Sequence, residues 1–178
     1  MSDTHAGMPA AKRREPPKRI RIRPLEPVVD AGRYPPKRCV GDTVTVAADV
    51  FGDGHEKLRA VVRYKPPTGA RWCETPMEPI GNDRWHGSFT ATELGRWKYT
   101  VTAWIDRWAS WQWELKRKLE GGQKDLTSEL LEGAALAGVD SLTVEEALDP
   151  ATAPKQERRG ETAIMPLELI VDREGGRF

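Results

Sequence analysis

The sequence predicts a mainly β protein: an immunoglobulin-like antiparallel β-sandwich with a C-terminal extension of two to three helices. Three observations carry that reading. Between residues 20 and 105, apolar and polar side chains alternate in short runs, the period-2 signature of half-buried strands. Turn-forming Gly, Pro, Asn and Asp residues separate those runs, with no helical pattern among them. From residue 106 the apolar period lengthens: Trp108, Trp111, Leu115 and Leu119 fall at i, i+3, i+7 and i+11, one stripe of a helix.

Taken in order, residues 1–18 are rich in Ala, Pro and Arg without apolar periodicity, which predicts a disordered basic arm. Ile20, Ile22 and Leu25 alternate with Arg21 and Arg23, an edge strand limited by Pro24 and Pro27. Val44, Val46, Ala48 and Val50 mark a second strand, closed by Gly52-Asp53-Gly54. Ala60, Val62 and Tyr64 mark a third. Residues 71–77 form a shorter one, weakened by Pro76. Gly81-Asn82-Asp83 is a tight turn, and Trp85, Gly87 and Phe89 share a face after it. Gly95 begins a long strand in which Trp97, Tyr99, Val101, Ala103 and Ile105 point one way.

The helices follow directly. The first spans about residues 106–120 and ends at Gly121-Gly122. A second covers about 124–137. A third is short, with Thr143 as N-cap and Glu146 completing a capping box. Residues 150–160 read as a linker, and Leu167, Leu169 and Val171 alternate in a last strand. The predicted division is an arm over 1–18, a sandwich over 19–106, a helical extension over 107–150, and a linker with a final strand over 151–178.

At 178 residues the chain is long enough for one core. It is too short to add a (β/α)₈ barrel, which takes roughly 250 residues by itself. The net charge of +1 gives no global argument for nucleic acid, although Lys12, Arg13, Arg14, Lys18, Arg19, Arg21 and Arg23 crowd the beginning. Cys39 and Cys73 are far apart and form no CxxC, so neither a disulfide framework nor a metal site is expected. With no secretory h-region and no run near the ~20 apolar residues of a membrane span, a cytoplasmic protein is expected.

Residues able to carry chemistry are few. His86 and Ser88 share the strand face opposite Trp85 and Phe89, which reads as a solvated face. There is no P-loop, dinucleotide fingerprint or HExxH. No catalytic, cofactor-binding or metal-ligating residue is therefore nominated. The tryptophans say more, six of the seven lying in residues 81–122. Trp85 and Trp97 point to the sandwich core, and Trp108 and Trp111 are expected to fix the first helix onto it. Trp104 points outward and needs cover, for which the helices are the obvious source. Trp113 lies about 200° around the helix from Trp111 at 100° per residue. Such an aromatic packs at an interface or stacks on a sugar. The candidate interface or glycan contacts are Trp104, Trp113, Arg117, Lys124 and His55.

At these residues the chain resembles a known family. GNDRW-x-G-x-F at 81–89, GRW-x-YTV-x-AW-x-D at 95–106 and the Trp111 helix closing at Gly122-Gln123 are similar to the α-1,4-glucan:maltose-1-phosphate maltosyltransferases of glycoside hydrolase family 13. Pro27-Val28-Val29, Gly32-Arg33-Tyr34-Pro35, Ala48-Asp49-Val50-Phe51 with Asp53-Gly54-His55, and Val171-Asp172-Arg173-Glu174 with Arg177-Phe178 extend the likeness over about residues 20–178. In that likeness the stretch around Ala48 is the family's first hairpin. The resemblance implies the enzyme's N-terminal domain, a contribution to a homodimer, and a helical segment near the partner subunit's active site. It implies transfer of maltosyl from maltose 1-phosphate to an α-1,4-glucan, with retention, by carboxylates on a barrel. No position here matches those carboxylates, so the chain alone is expected to be inactive. Trp113 departs from the polar residue the family leads one to expect. The alternative is a free-standing α-glucan-binding sandwich, which glycogen would retard in an affinity gel. Neither reading calls for a cofactor, nucleic acid or a membrane.

Overall fold

The computed structural model describes residues 20–155 and 158–173; the basic arm predicted over 1–18 lies outside them. In chain order the strands are β1 (Ile20–Glu26), β2 (Lys37–Cys39), β3 (Thr43–Gly52), β4 (Leu58–Lys65), β5 (Cys73–Pro76), β6 (Glu78–Gly81), β7 (Arg84–Thr90) and β8 (Gly95–Ile105). Three helices follow, α1 (Arg107–Glu120), α2 (Thr127–Ala137) and α3 (Val144–Leu148). Then come β9 (Arg159–Ala163) and β10 (Leu167–Arg173). The mainly β sandwich with a helical extension is as the sequence predicts.

One sheet runs β1-β3-β7-β6 and the other β2-β10-β8-β4-β5, with β9 also paired to β8. β4 follows β8 along one edge, from Leu58↔Ile105 to Lys65↔Lys98. The other edge is shared end to end, β10 taking residues 95–99 and β9 residues 102–105. The period-2 residues of β3, β4, β8 and β10 meet between the sheets. Val44, Val46, Val62, Trp97, Tyr99, Val101 and Leu169 are all buried there. Each such side chain contributes about 1.5–3 kcal/mol by leaving water. Tyr64 stacks on Phe89 with ring centroids 4.5 Å apart, and Phe89 on Trp97 at 5.7 Å.

Four expectations change. Gly52-Asp53-Gly54 is not the turn of a hairpin, because β3 and β4 lie in different sheets; residues 52–57 cross the sandwich. The run over 71–77 likewise divides at buried Met77, with β5 in one sheet and β6 in the other. The predicted linker gives up its last residues to β9, which pairs with β8. The three-residue β2 runs parallel to β10, so the sheet is mixed rather than wholly antiparallel. Asn82 and Asp83 do form the predicted turn. Both have positive φ, 48° and 60°, as a two-residue hairpin loop between β6 and β7 requires.

Tyr99 ties the chain's beginning to this core. Its hydroxyl donates to the Pro27 carbonyl, and burial pushes its pKa up to about 12. The unfolded phenol ionises near pH 10. A raised folded pKa means that the stability is complete below pH 10 and falls as pH rises towards 12. Urea titrations at pH 9 and 11 should show that loss. Tyr99→Phe should remove this contribution and cost about 1 kcal/mol at neutral pH through the lost hydrogen bond. An identical pH slope in the variant would rule the phenol out as its source.

The helices build a second core of their own. Trp108, Trp111, Leu115, Leu126, Ala134, Leu142 and Ala147 form one buried cluster, separate from that of the sandwich. This corrects the expectation that Trp108 and Trp111 fix α1 onto the sandwich: they hold α1 to α2 and α3. The Trp111 indole donates to the Glu129 carbonyl at 2.9 Å. It lies flat on Gly133, where an added Cβ would sit 2.1 Å from the ring. Thr143 and Glu146 make the predicted capping box of α3. α2 also carries a second apolar stripe facing away from this core. Leu131 and Ala135 are exposed at i and i+4, Leu131 to 60%, and Val139, just past the left-handed C-cap Gly138, is 47% exposed.

Candidate functional site

Only Asp106 separates β8 from α1, and it organises the junction. Its extended backbone ends the strand, and its carboxylate accepts from the Ala109 amide at 2.8 Å, capping the helix. The side chain is 1% exposed and paired with Arg59 of β4. The crossing loop is latched to the same turn. The Asp106 amide donates to the Lys57 carbonyl at 2.8 Å, and the Lys57 amide donates to Ser110 Oγ at 2.8 Å. Polar contacts thus dock the extension on the sandwich, where the sequence had suggested tryptophans.

Between α1 and the outer face of β4, β5 and β8 lies a groove of about 800 Å³. Its apolar walls are Trp85, Trp104, Trp113 and Met77. Its charged residues are Lys57, Arg59, Lys116 and Arg158 against Glu74 and Asp106. Arg158 forms a two-point pair with Glu74, which Arg63 also approaches at 3.3 Å. The hydrogen bonds from Arg158 hold the Glu74 carboxyl below its ordinary range, against the opposing pull of partial burial. Both carboxylates are therefore taken up by arginines. Among the described residues no hydroxyl, thiol or imidazole lines the groove.

Of the five nominated residues, the structure gathers three. His55 stacks beside Trp113 with centroids 6.4 Å apart, and Arg117 lies 4.8 Å from the centre of the Trp113 ring. Lys57 lies over the same ring at 4.7 Å. Trp113 is thus engaged by two cations, a favourable use of its negative faces, and is half-buried. Trp104 shares the groove with Trp113 and is 8% exposed. The Arg158 guanidinium sits over its ring at 4.3 Å, a cover the sequence did not suggest. Lys124 is exposed in the loop between α1 and α2 and does not line the groove.

Lys57, Arg158 and Glu74 had no signal in the sequence. Each reaches the groove through pairing between residues distant in the chain. Cys39 and Cys73 are free thiols, and among the described residues no cluster of His, Cys, Asp and Glu could hold a metal ion.

Comparison with known proteins places this architecture. Residues 18–165 match the family described as alpha-1,4-glucan:maltose-1-phosphate maltosyltransferase, domain N/S. A maltosyltransferase of that name from Myxococcus xanthus is 50% identical over 119 residues, covering 65% of this chain and 18% of the relative. The protein of the same name from Chlorobaculum tepidum is 40% identical over 119 residues, covering 67% of this chain and 18% of its own length. The second such enzyme of Streptomyces coelicolor is 33% identical over 188 residues, covering 88% of this chain and 28% of its own length. The chain thus spans less than a third of any of these relatives. With the match extending from β1 through α3 into the first strand after it, the chain belongs to the N/S-domain family of the α-1,4-glucan:maltose-1-phosphate maltosyltransferases.

Proposed function

We propose that this chain is the assembly domain of a cytoplasmic maltosyltransferase of glycoside hydrolase family 13. It joins two copies into a homodimer and borders the partner's active site. The transfer of maltosyl from maltose 1-phosphate to α-1,4-glucan, a step of α-glucan synthesis, takes place on a catalytic barrel, which the described residues do not form. Among the described residues no helix is long and apolar enough to cross a membrane.

The observation that supports assembly is the outer stripe of α2. Leu131 and Ala135, with Val139 just after the helix, stay in water although the helix already buries its other side against Trp111. A helix apolar on two sides is suited to two packing partners. The 178-residue chain should therefore self-associate in sedimentation velocity as its concentration rises. Leu131→Glu should shift it towards monomer with an unchanged circular dichroism spectrum. A wild-type chain that stays strictly monomeric at high concentration would sink this reading.

A further inference from the structure

We propose that the occupant of the tryptophan groove is α2 of a second copy, each copy seating its helix in the other's groove. This rests on the dimer reading above and specifies its contact. The charge distribution carries it. Residues 125–149 contain seven acidic side chains and no basic one. On α2 and just after it, Glu132 and Asp140 are exposed beside the exposed apolar residues Leu131 and Ala135 of the helix and Val139 after it.

An interface of α2 on α2 about a two-fold axis would set those carboxylates against their own copies. Like charges brought together in this way oppose association. The helix therefore calls for a surface that is both apolar and basic.

The groove has that character. Its carboxylates are matched by Arg59 and Arg158, which leaves Lys57 and Lys116 without a carboxylate partner among the described residues. These two charges flank Trp113 in a groove that also presents Trp85, Trp104 and Met77. An amphipathic helix laid in an apolar groove is a common mode of recognition, and tryptophans are enriched among the residues that dominate interface energy. Each copy carries one groove and one α2 face, so a reciprocal pair closes into a dimer with two equal contacts.

The test exchanges the charges. Lys116 and Glu132 are both exposed, so their reversal leaves both cores untouched. Lys116→Glu alone and Glu132→Lys alone should each weaken the homodimer by roughly tenfold or more, because each repeats its fault at both contacts. Mixing the two variants should restore a dimer, and that dimer should contain one chain of each kind. In it, both grooves face a helix of opposite charge. Sedimentation velocity gives the affinity, and native mass spectrometry identifies the mixed pair. If wild type dimerises while the two reversals act independently and the mixture shows no recovery, the groove is not the seat of α2, and the dimer reading survives. If Glu132→Gln alone strengthens the dimer, Glu132 faces like charge as in α2 on α2, and the proposal is overturned. If wild type does not dimerise at all, both fall together.

Discussion

Trp111→Ala should unfold the helical extension and leave the sandwich standing. The indole is 5% exposed and joins α1 to α2. It packs on Trp108 at 4.7 Å, lies flat on Gly133 and donates to the Glu129 carbonyl. Truncating a buried tryptophan costs about 3–5 kcal/mol. Helices this short do not persist without tertiary packing. The sandwich core is a different set of residues, from Val44 to Val171, and loses nothing directly. Hydrogen exchange should show amides of α1, α2 and α3 losing protection while those of β3, β4 and β8 keep theirs. Gly133→Ala should push in the same direction by about 1–3 kcal/mol, through overpacking rather than a cavity. If the helical amides of Trp111→Ala remain as protected as in wild type, the second core does not depend on this ring. If the strands lose protection as well, the two cores are one cooperative unit.

Asp106→Ala carries the second large effect, at the junction instead of within a core. The carboxylate caps α1 through the Ala109 amide and meets Arg59 across the sheet. Loss of an N-cap costs about 0.5–2 kcal/mol, and loss of a hydrogen bond to a charged group about 1.5–3 kcal/mol. A loss of about 2–4 kcal/mol in urea unfolding is expected for alanine. Asp106→Asn keeps an oxygen for the cap and loses the charge, so it should fall between alanine and wild type. An asparagine variant as damaged as alanine would assign the effect to the Arg59 pair alone. Alanine at wild-type stability would mean that the latch at Lys57 and Ser110 suffices to hold the joint.

The strands legible in the sequence are those whose two faces differ. In β3 the alternation from Val44 to Val50 follows one buried and one wetter side. β2, β6 and β9 gave no such signal, being three to five residues long; β2 and β9 are also held by strands from elsewhere in the chain. β8 shows the limit from the other direction. Thr100 and Thr102 look like solvent-facing residues, yet both are buried, and Thr100 donates to the Ile164 carbonyl. Caps depend on a few adjacent residues, so the Thr143–Glu146 box could be placed from the sequence, while Asp106, read as the first residue of the helix, proves to be its cap. The groove depends on tertiary pairing. Helical spacing put Trp113 off the core stripe, but no local pattern could bring Lys57 and Arg158 to the same surface, or set Arg158 over Trp104.

The direct passage from β8 into α1 also has a mechanical meaning. A linker of several residues would let the extension swing; one capped residue, tied to Arg59 and flanked by the Lys57 latch, acts as a weld. Strand and helix then behave as a bent lever whose short arm is clamped along the whole of β4. A load applied at the far helices would be delivered to the β4–β8 ladder as shear, with little lost to bending at the corner.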